Sequence, residues 1–499
     1  MPNYLSPGVY VEEVSSGSKP IEGVGTAVAA FLGFAEQGPI DQPVLVTNWT
    51  QFSQTFGGFV EGSYLAHSVY GYFLNGGGRA YVVRIGGAER GAAVAELPAG
   101  PGAPPLRLQA LPGVDAEISV SVQESGKGGE DSFKLVVKKA GKVEETHDNL
   151  SVRPGPGYVV TALRRSKLVA VQELQDEQLV VPVKGAEVAL AVRAAAPAVS
   201  ARDYVGDAAD RTGFAGLEAV DDVTMLCVPD LMAAHQRGLL DEEGVKAVQL
   251  AMIAHCELMA DRVAVLDSPA GLNAQQVKQW RTEFAGYDSK YAALYWPWIK
   301  VIDPLSGRTK EIPPGGHLAG VWARNDATRG VHKAPANEQL RGVVALELAI
   351  TKGEHDLLNP IGLNCLRSFP GQGIRVWGAR TLSSDPEWRY LNVRRLFNYV
   401  EKSILQGTNW VVFEPNDPKL WDSVKRTITM FLRGVWRDGA LFGRTPGESF
   451  YVKCDEENNP QESRDNGVLT VEIGIAPVKP AEFVVFRISQ YAEGAGLEE

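Results

Sequence analysis

The groups in this sequence best placed by type to do chemistry are aspartates that close apolar runs. Cys227-Val228-Pro229-Asp230 and Leu266-Asp267-Ser268-Pro269 each end a β-prone stretch on an acid. Ligands of α/β sheets sit at the carboxyl ends of strands, so Asp230 and Asp267 are where an α/β enzyme or ligand-binding protein would carry acid–base work. Asp230 follows a proline directly and Asp267 precedes one by two residues, both in turn contexts where aspartate caps a loop or helix without any ligand, and that structural role is the favoured reading. Asp303, Ser306, His317, His332 and His355 supply acid, nucleophile and base by type. No spacing ties them into a triad.

Other chemical motifs fail in informative ways. There is no H-E-x-x-H, G-x-S-x-G or Walker A pattern. His255 sits beside Cys256 on a helical stretch, with no second ligand four residues away, so a satisfied helix histidine is expected. Cys227, Cys256, Cys365 and Cys454 are widely separated and form no C-x-x-C pair; they read as buried small hydrophobes rather than as disulfides. Asn75-Gly76-Gly77-Gly78-Arg79 looks like a phosphate-cradling loop, but it leads from a helix into a strand, the reverse of the order that points a helix N-terminus at an anion. Glycine there fits a helix C-cap. No catalytic residue, metal or cofactor is expected.

The elements that would hold these residues follow an interrupted α/β rhythm. Residues 1–25 read as an arm: a turn at Ser6-Pro7-Gly8, a short strand at Val9 to Val14, then a breaker-rich leash through Gly17, Pro20, Gly23 and Gly25. Residues 26–86 carry strands at Ala27–Phe34, Pro43–Thr47 and Ala80–Ile85, with helices at Trp49–Phe56 and His67–Leu74. Residues 87–200 open with an Ala/Gly/Pro-rich linker, then show short alternating strands around Ile118–Val122 and Phe133–Val137, which predicts an inserted, mostly β domain. Residues 201–363 return to α/β. Strands are expected at Val223–Val228, Val263–Leu266 and Tyr291–Ile302, with a helix at Asp241–Ala260 whose Val245, Val248, Met252, Cys256 and Met259 form a core stripe. Residues 364–480 hold two amphipathic helices, near Trp388–Leu405 and Pro418–Trp436, and then strands at Phe450–Lys453 and Val468–Ile475. Residues 481–499 hold a last strand at Phe483–Ile488 and an acidic tail.

Hydrophobic residues make up 44% of the chain and the formal net charge is −11. That balance suits a folded multidomain protein and argues against general nucleic-acid or anionic-membrane binding. No apolar run reaches the roughly 18 residues needed to span a bilayer, so direct membrane insertion is not expected. The first ten residues lack the basic and apolar regions of a secretory signal, so folding in the bacterial cytoplasm is expected.

Four segments together resemble the phage tail sheath family. They are Tyr4 to Glu13; Phe73 to Arg84 with its three glycines; Pro313-Pro314-Gly315-Gly316-His317-Leu318-Ala319-Gly320 continuing through Ala327 to Asn337; and Asn364 through Tyr399 to Phe431 and Gly439-Ala440-Leu441. The resemblance implies a non-enzymatic subunit that polymerises as a helical tube around an inner tube and contracts by subunit rotation. The implied fold is an α/β core assembled from N- and C-terminal parts, with an inserted β domain and strand arms at both ends. Implied partners are further copies of the chain, an inner tube protein, a baseplate and a tail-terminator or cap protein, in a phage virion or a phage-tail-like injection particle.

On this reading the arms link subunits through Val9, Tyr10, Val11 and Val14 at one end and Phe483, Val484, Val485, Phe486 and Ile488 at the other. A lone strand on a leash cannot pair with itself and needs a partner sheet. On the second amphipathic helix, Trp421, Val424, Ile428, Phe431 and Val435 make an apolar face. Lys419, Arg426, Arg433 and Arg437 align on another face, with Asp422 the one acid nearby. Four aligned cations in an acidic protein point to an acidic partner surface, and the resemblance implies that this helix faces the inner tube.

Overall fold

The computed structural model describes residues 20–86, 94–99, 105–111, 118–126, 132–139, 141–155, 157–171, 179–190 and 199–486. Val9, Tyr10, Val11, Val14 and Ile488 lie outside the described residues. The chain forms two compact units, one from Met1–Ile85 with Ser200–Glu499 and one from Gly86–Val199.

The larger unit is built on an eight-stranded sheet. Its strands are β1 (Val28–Gly33), β2 (Val44–Val46), β3 (Arg79–Arg84), β4 (Met225–Cys227), β5 (Val263–Asp267), β6 (Ala292–Trp296), β7 (Leu363–Phe369) and β8 (Gly373–Val376). Their order across the sheet is β8-β7-β6-β5-β4-β1-β3-β2. The six central strands run parallel, and β2 and β8 close the two edges antiparallel. Every residue of β1, β5 and β6 is buried. Helices on both faces leave such strands no solvent side, which is why they read as unbroken apolar runs rather than as alternation.

Five helices matter below: α1 (Leu65–Asn75), α2 (Glu242–Met259), α3 (Gly315–Arg329), α4 (Leu391–Gly407) and α5 (Pro418–Arg437). On α2 the expected stripe holds at Val245, Val248, Met252 and Cys256, all buried, while Met259 at the frayed end is half-buried. The expected single strand from Tyr291 to Ile302 is broken. Pro297 has no N–H to donate, so β6 stops at Trp296, and Ile299–Ile302 joins a separate antiparallel sheet with Thr309–Ile312 and Val343–Leu346.

Helices α1 and α3 meet at backbone contact. A Cβ on Gly316 would stand 2.5 Å from Ser68 Cα, one on Gly320 2.4 Å from the Tyr72 carbonyl oxygen, and one on Gly71 2.2 Å from His317 Nδ1. The Pro-Pro-Gly-Gly-His-Leu-Ala-Gly segment therefore has a packing reason: Gly316 and Gly320 open the face of α3 that receives α1, and Gly315 makes room for Asp267. The glycines after α1 cap it as expected. Gly76 takes φ 114°, its N–H and that of Gly77 donate to the carbonyls of Phe73 and Tyr72, and β3 follows directly.

Among the described residues of the smaller unit the strand pairs are all antiparallel, and there is one short helix, Val159–Leu163. Glu187–Ala189, Ile118–Glu124, Ser132–Lys139 and Lys142–Ser151 form one sheet, and Val94–Leu97, Leu106–Ala110 and Val169–Val171 a second. Leu108, Val120, Val122, Phe133, Leu135 and Val137 share its own apolar core.

Candidate assembly surfaces and the residues that root them

The two aspartates that could have been catalytic are structural anchors. Asp230 is fully buried and accepts from the backbone N–H of Tyr64, from Phe34 N at 2.6 Å and from Ser63 Oγ at 2.8 Å. It thereby ties the end of β1 to the start of α1. Burial pushes its carboxyl up to about 6 even against those donors. Asp267, also buried, accepts 2.8 Å from Gly315 N and holds the first residue of α3. With only that donor, burial pushes it up to about 7.

The raised Asp267 carboxyl has a consequence for stability. An acid whose folded pKa exceeds its unfolded value is best tolerated below the unfolded pKa, and that advantage is lost as pH rises through the folded one. Relative to Asp267→Asn, the wild type is expected to lose about 2 kcal/mol between pH 5.5 and pH 8. Urea unfolding of both proteins at the two pH values reads this difference; parallel stabilities would refute it.

Asp303, Ser306 and a histidine do come together, in an order that disables a triad. Asp303 Oδ2 accepts 2.7 Å from Ser306 Oγ, and its Oδ1 lies 3.2 Å from His67 Nε2. The acid stands between hydroxyl and imidazole, so no base touches the serine. Burial, with Lys310 nearby, holds His67 below its usual pKa. His317 is buried against Gly71, and His355 and His332 lie apart on other segments. All four cysteines are buried and unpaired, and burial raises Cys227, Cys256 and Cys365 out of the reactive range. Among the described residues no group of three or more acids, histidines and cysteines could hold a metal. None of the described helices is long and apolar enough to cross a membrane.

The cationic helix is a real surface feature. Asp417 caps α5 by accepting from Leu420 N, and Pro418 opens it. Its buried face is Leu420, Trp421, Val424, Thr427, Ile428, Leu432 and Val435, while Phe431 is only half-buried. Lys419, Arg426, Arg433 and Arg437 are all exposed, and among the described residues their side chains make no ion pair or hydrogen bond. The stripe runs about 27 Å along the helix. Met430, 61% exposed, sits inside it between Arg426 and Arg433. Helical spacing alone could have placed it there.

Both chain ends are rooted on α4. At the N-terminal end, Ile21 packs into the apolar cluster that also holds the buried face of α5. Val24 N donates to Ser403 Oγ at 3.1 Å, and Thr26 Oγ1 to Asp326 Oδ2 at 2.7 Å. Arg395 clamps that same carboxylate at 2.6 Å and also donates to the Thr26 carbonyl. Residues 21–25, which composition places in the leash, are thus seated on the body.

At the other end, Asn392 Nδ2 donates to the Val478 carbonyl. Glu482 is gripped by Arg380 through Nε (2.8 Å) and Nη2 (2.6 Å), by Asn359 Nδ2 (2.8 Å) and by the Tyr390 hydroxyl (3.1 Å). Burial raises the Glu482 carboxyl, but the bonds from Arg380 and Asn359 outweigh it and hold it below its usual value. Directly after it, Phe483, Val484, Val485 and Phe486 are 73%, 68%, 76% and 83% exposed and form no strand within the chain. Among the described residues, 483–486 of the expected strand pair with no sheet of the subunit.

Beneath α5 lies a two-stranded sheet, β9 (Phe450–Lys453) and β10 (Glu472–Ile475). The expected strand from Val468 is shorter, because Val468 instead turns back onto Ser463 and Asn416. Among the described residues no further strand pairs with either outer edge.

Comparison with known proteins places this arrangement. Residues 200–382 match the phage tail sheath protein central domain and residues 383–490 the phage tail sheath C-terminal domain. The tail sheath protein of Burkholderia phage BcepMu is 25% identical over 506 aligned positions, covering 97% of this chain and 96% of that protein. The tail sheath protein of Vibrio phage KVP40 is 26% identical over 250 residues, 47% of this chain and 36% of the relative. A putative prophage major tail sheath protein of Pseudomonas aeruginosa is matched over 57% of its length, so against some relatives the chain spans a third to a little over half. The fold is that of the PVC sheath complex of an extracellular contractile injection system in its contracted state (TM-score 0.60, 24% identity, 99% of each chain). It is equally that of the contracted helical sheath of the anti-feeding prophage (TM-score 0.61, 23% identity, 97% of this chain and 99% of that one).

Proposed function

The chain belongs to the phage tail sheath protein family, and on that premise we propose that it is a structural subunit that polymerises helically around an inner tube and contracts by subunit rotation to drive the tube through a target envelope. The observation that carries this reading is Phe483–Phe486: four consecutive apolar side chains, each more than two-thirds exposed, following an anchored residue. A run of that kind is a contact surface awaiting cover. In an extended segment its side chains alternate, so both faces are apolar, and it suits a strand laid against a sheet and covered from above.

The sheet β9–β10 of a second copy is the fitting acceptor, since two strands alone are marginal in water and gain from added ones. At about 1 kcal/mol net per backbone hydrogen bond, each link is weak alone and strong by repetition. An interface between unlike surfaces that does not close propagates as an open helix. The N-terminal strand through Val9, Tyr10, Val11 and Val14 supplies the second link.

The subunit does no covalent chemistry; its candidate acids are spent anchoring helices. Contraction draws on a metastable extended assembly that relaxes as subunits rotate. Baseplate and tail-terminator or cap proteins close the two ends, and the whole assembles in the bacterial cytoplasm for a virion or a phage-tail-like particle.

The exposed cations of α5 face the inner tube in this reading. Reversing Arg426 and Arg433 to Glu is expected to weaken co-sedimentation with inner tubes by at least about tenfold and to flatten its salt dependence. Unchanged co-assembly would remove α5 from the tube interface.

A further inference from the structure

We propose that the Arg380–Glu482 clasp is the positioning device of the C-terminal arm: it sets where the chain leaves the body, and so fixes the point from which Phe483–Phe486 reaches a second copy of this chain. The inference rests on the linkage reading above and adds residues that reading does not use.

The clasp is built from the centre of the fold outward. Asn364 on β7 is fully buried and holds the backbone of Arg380 from both sides, accepting from its N–H at 2.7 Å and donating to its carbonyl at 2.8 Å. The Arg380 side chain, 9% exposed, also donates to the Asn359 carbonyl at 3.1 Å, which fixes the plane of its guanidinium. Two of its nitrogens then meet the two oxygens of Glu482, a fork geometry that only arginine offers. Asn359 and Tyr390 donate to the same carboxylate. Glu482 therefore receives four hydrogen bonds while the next four side chains lie in solvent.

The preceding anchor is Val478, whose N–H donates to the Ala440 carbonyl and whose carbonyl accepts from Asn392. If the clasp were absent, the free segment would begin after Val478. Four more residues would then be released, adding about 13 Å of reach. A longer, unaimed tether lowers the effective concentration of the arm at its acceptor.

The test uses the full-length chain. A nitroxide on Ala481→Cys and, separately, on Val485→Cys reads local mobility by electron paramagnetic resonance. In the wild-type background the label at position 481 is expected to be immobile and the one at 485 mobile. With Glu482→Ala both become mobile, while monomer melting shows that the fold persists and tube yield by negative-stain microscopy falls at least about tenfold. Arg380→Lys, which keeps the charge and loses the fork, falls between the two.

Equal mobility at 481 and 485 in the wild-type background overturns the proposal even if the Glu482→Ala chain fails to fold. Normal tube yield from a folded Glu482→Ala protein overturns it as well. A chain lacking residues 483–499 separates the two ideas: normal tubes from that chain refute linkage by the arm itself, whatever the clasp does.

Discussion

Gly320→Val is expected to leave little folded protein. The valine Cβ alone would lie 2.4 Å from the Tyr72 carbonyl oxygen and 2.8 Å from Asn75 Cβ, so α1 and α3 would have to separate. Neither helix can yield cheaply. Asn75 is fully buried, and its side chain donates to the carbonyls of Gly71 and Arg341 and accepts from Arg341 N. The far end of α3 is fixed by the buried Arg395–Asp326 pair. Overpacking of this kind costs about 1–3 kcal/mol where side chains can shift and more where two backbones must part, a large part of a domain's stability. Gly434→Ala is the matched control. Nothing lies within 4 Å of the added Cβ on α5, so helix propensity should raise stability by about 0.5–1 kcal/mol. Soluble yield and urea unfolding of the two variants check both signs, and a well-folded Gly320→Val protein would refute the backbone-contact account.

Deleting residues 1–20 is expected to abolish tube formation while leaving the monomer intact. The cut falls just before the seated stretch, so Ile21, Val24 and Thr26 keep their places against α4 and α3. Thermal unfolding of the truncated monomer should therefore match the full chain. Assembly should fail, because Val9–Val14, proposed to add as a strand to a second copy, would be gone and one of the two proposed links with it. Striated tubes of ordinary yield from the truncated chain would show that this segment is not a link. Loss of the monomer fold would show that it completes its own subunit.

What could be read from the sequence was what local periodicity records. Strands β1, β4, β5 and β6 announce themselves because burial on both faces makes them continuous apolar runs, and α5 because its two faces repeat at helical spacing. The reversed order around Asn75–Arg79 was legible for the same reason. By contrast β7 and β8, broken by Asn364, Arg367 and Arg375, do not read as strands. Pairings across long stretches of chain left no local mark. Glu482 precedes an apolar run like any surface acid, and its partner Arg380 lies 102 residues away. Val24 looks like leash, and its hydrogen bond to Ser403 spans 379 residues. Gly316 and Gly320 would ordinarily count against a helix; only the approach of α1 explains them. The stripe of cations could be drawn from the sequence, but its partner belongs to another molecule.

The rooting of both chain ends on α4 gives the subunit a path for tension. The C-terminal root grips Tyr390 and Asn392 at the start of that helix, and the N-terminal root grips Ser403 near its end. The two attachment points are about 20 Å apart along one axis of aligned hydrogen bonds. A pull arriving through one arm would have this strut as one route to the other, beside the route that enters β7 through Arg380 and Asn364. The helix rests on the same apolar cluster as α5. A lattice joined in this way would divide the strain of its links between α4 and the sheet of each subunit.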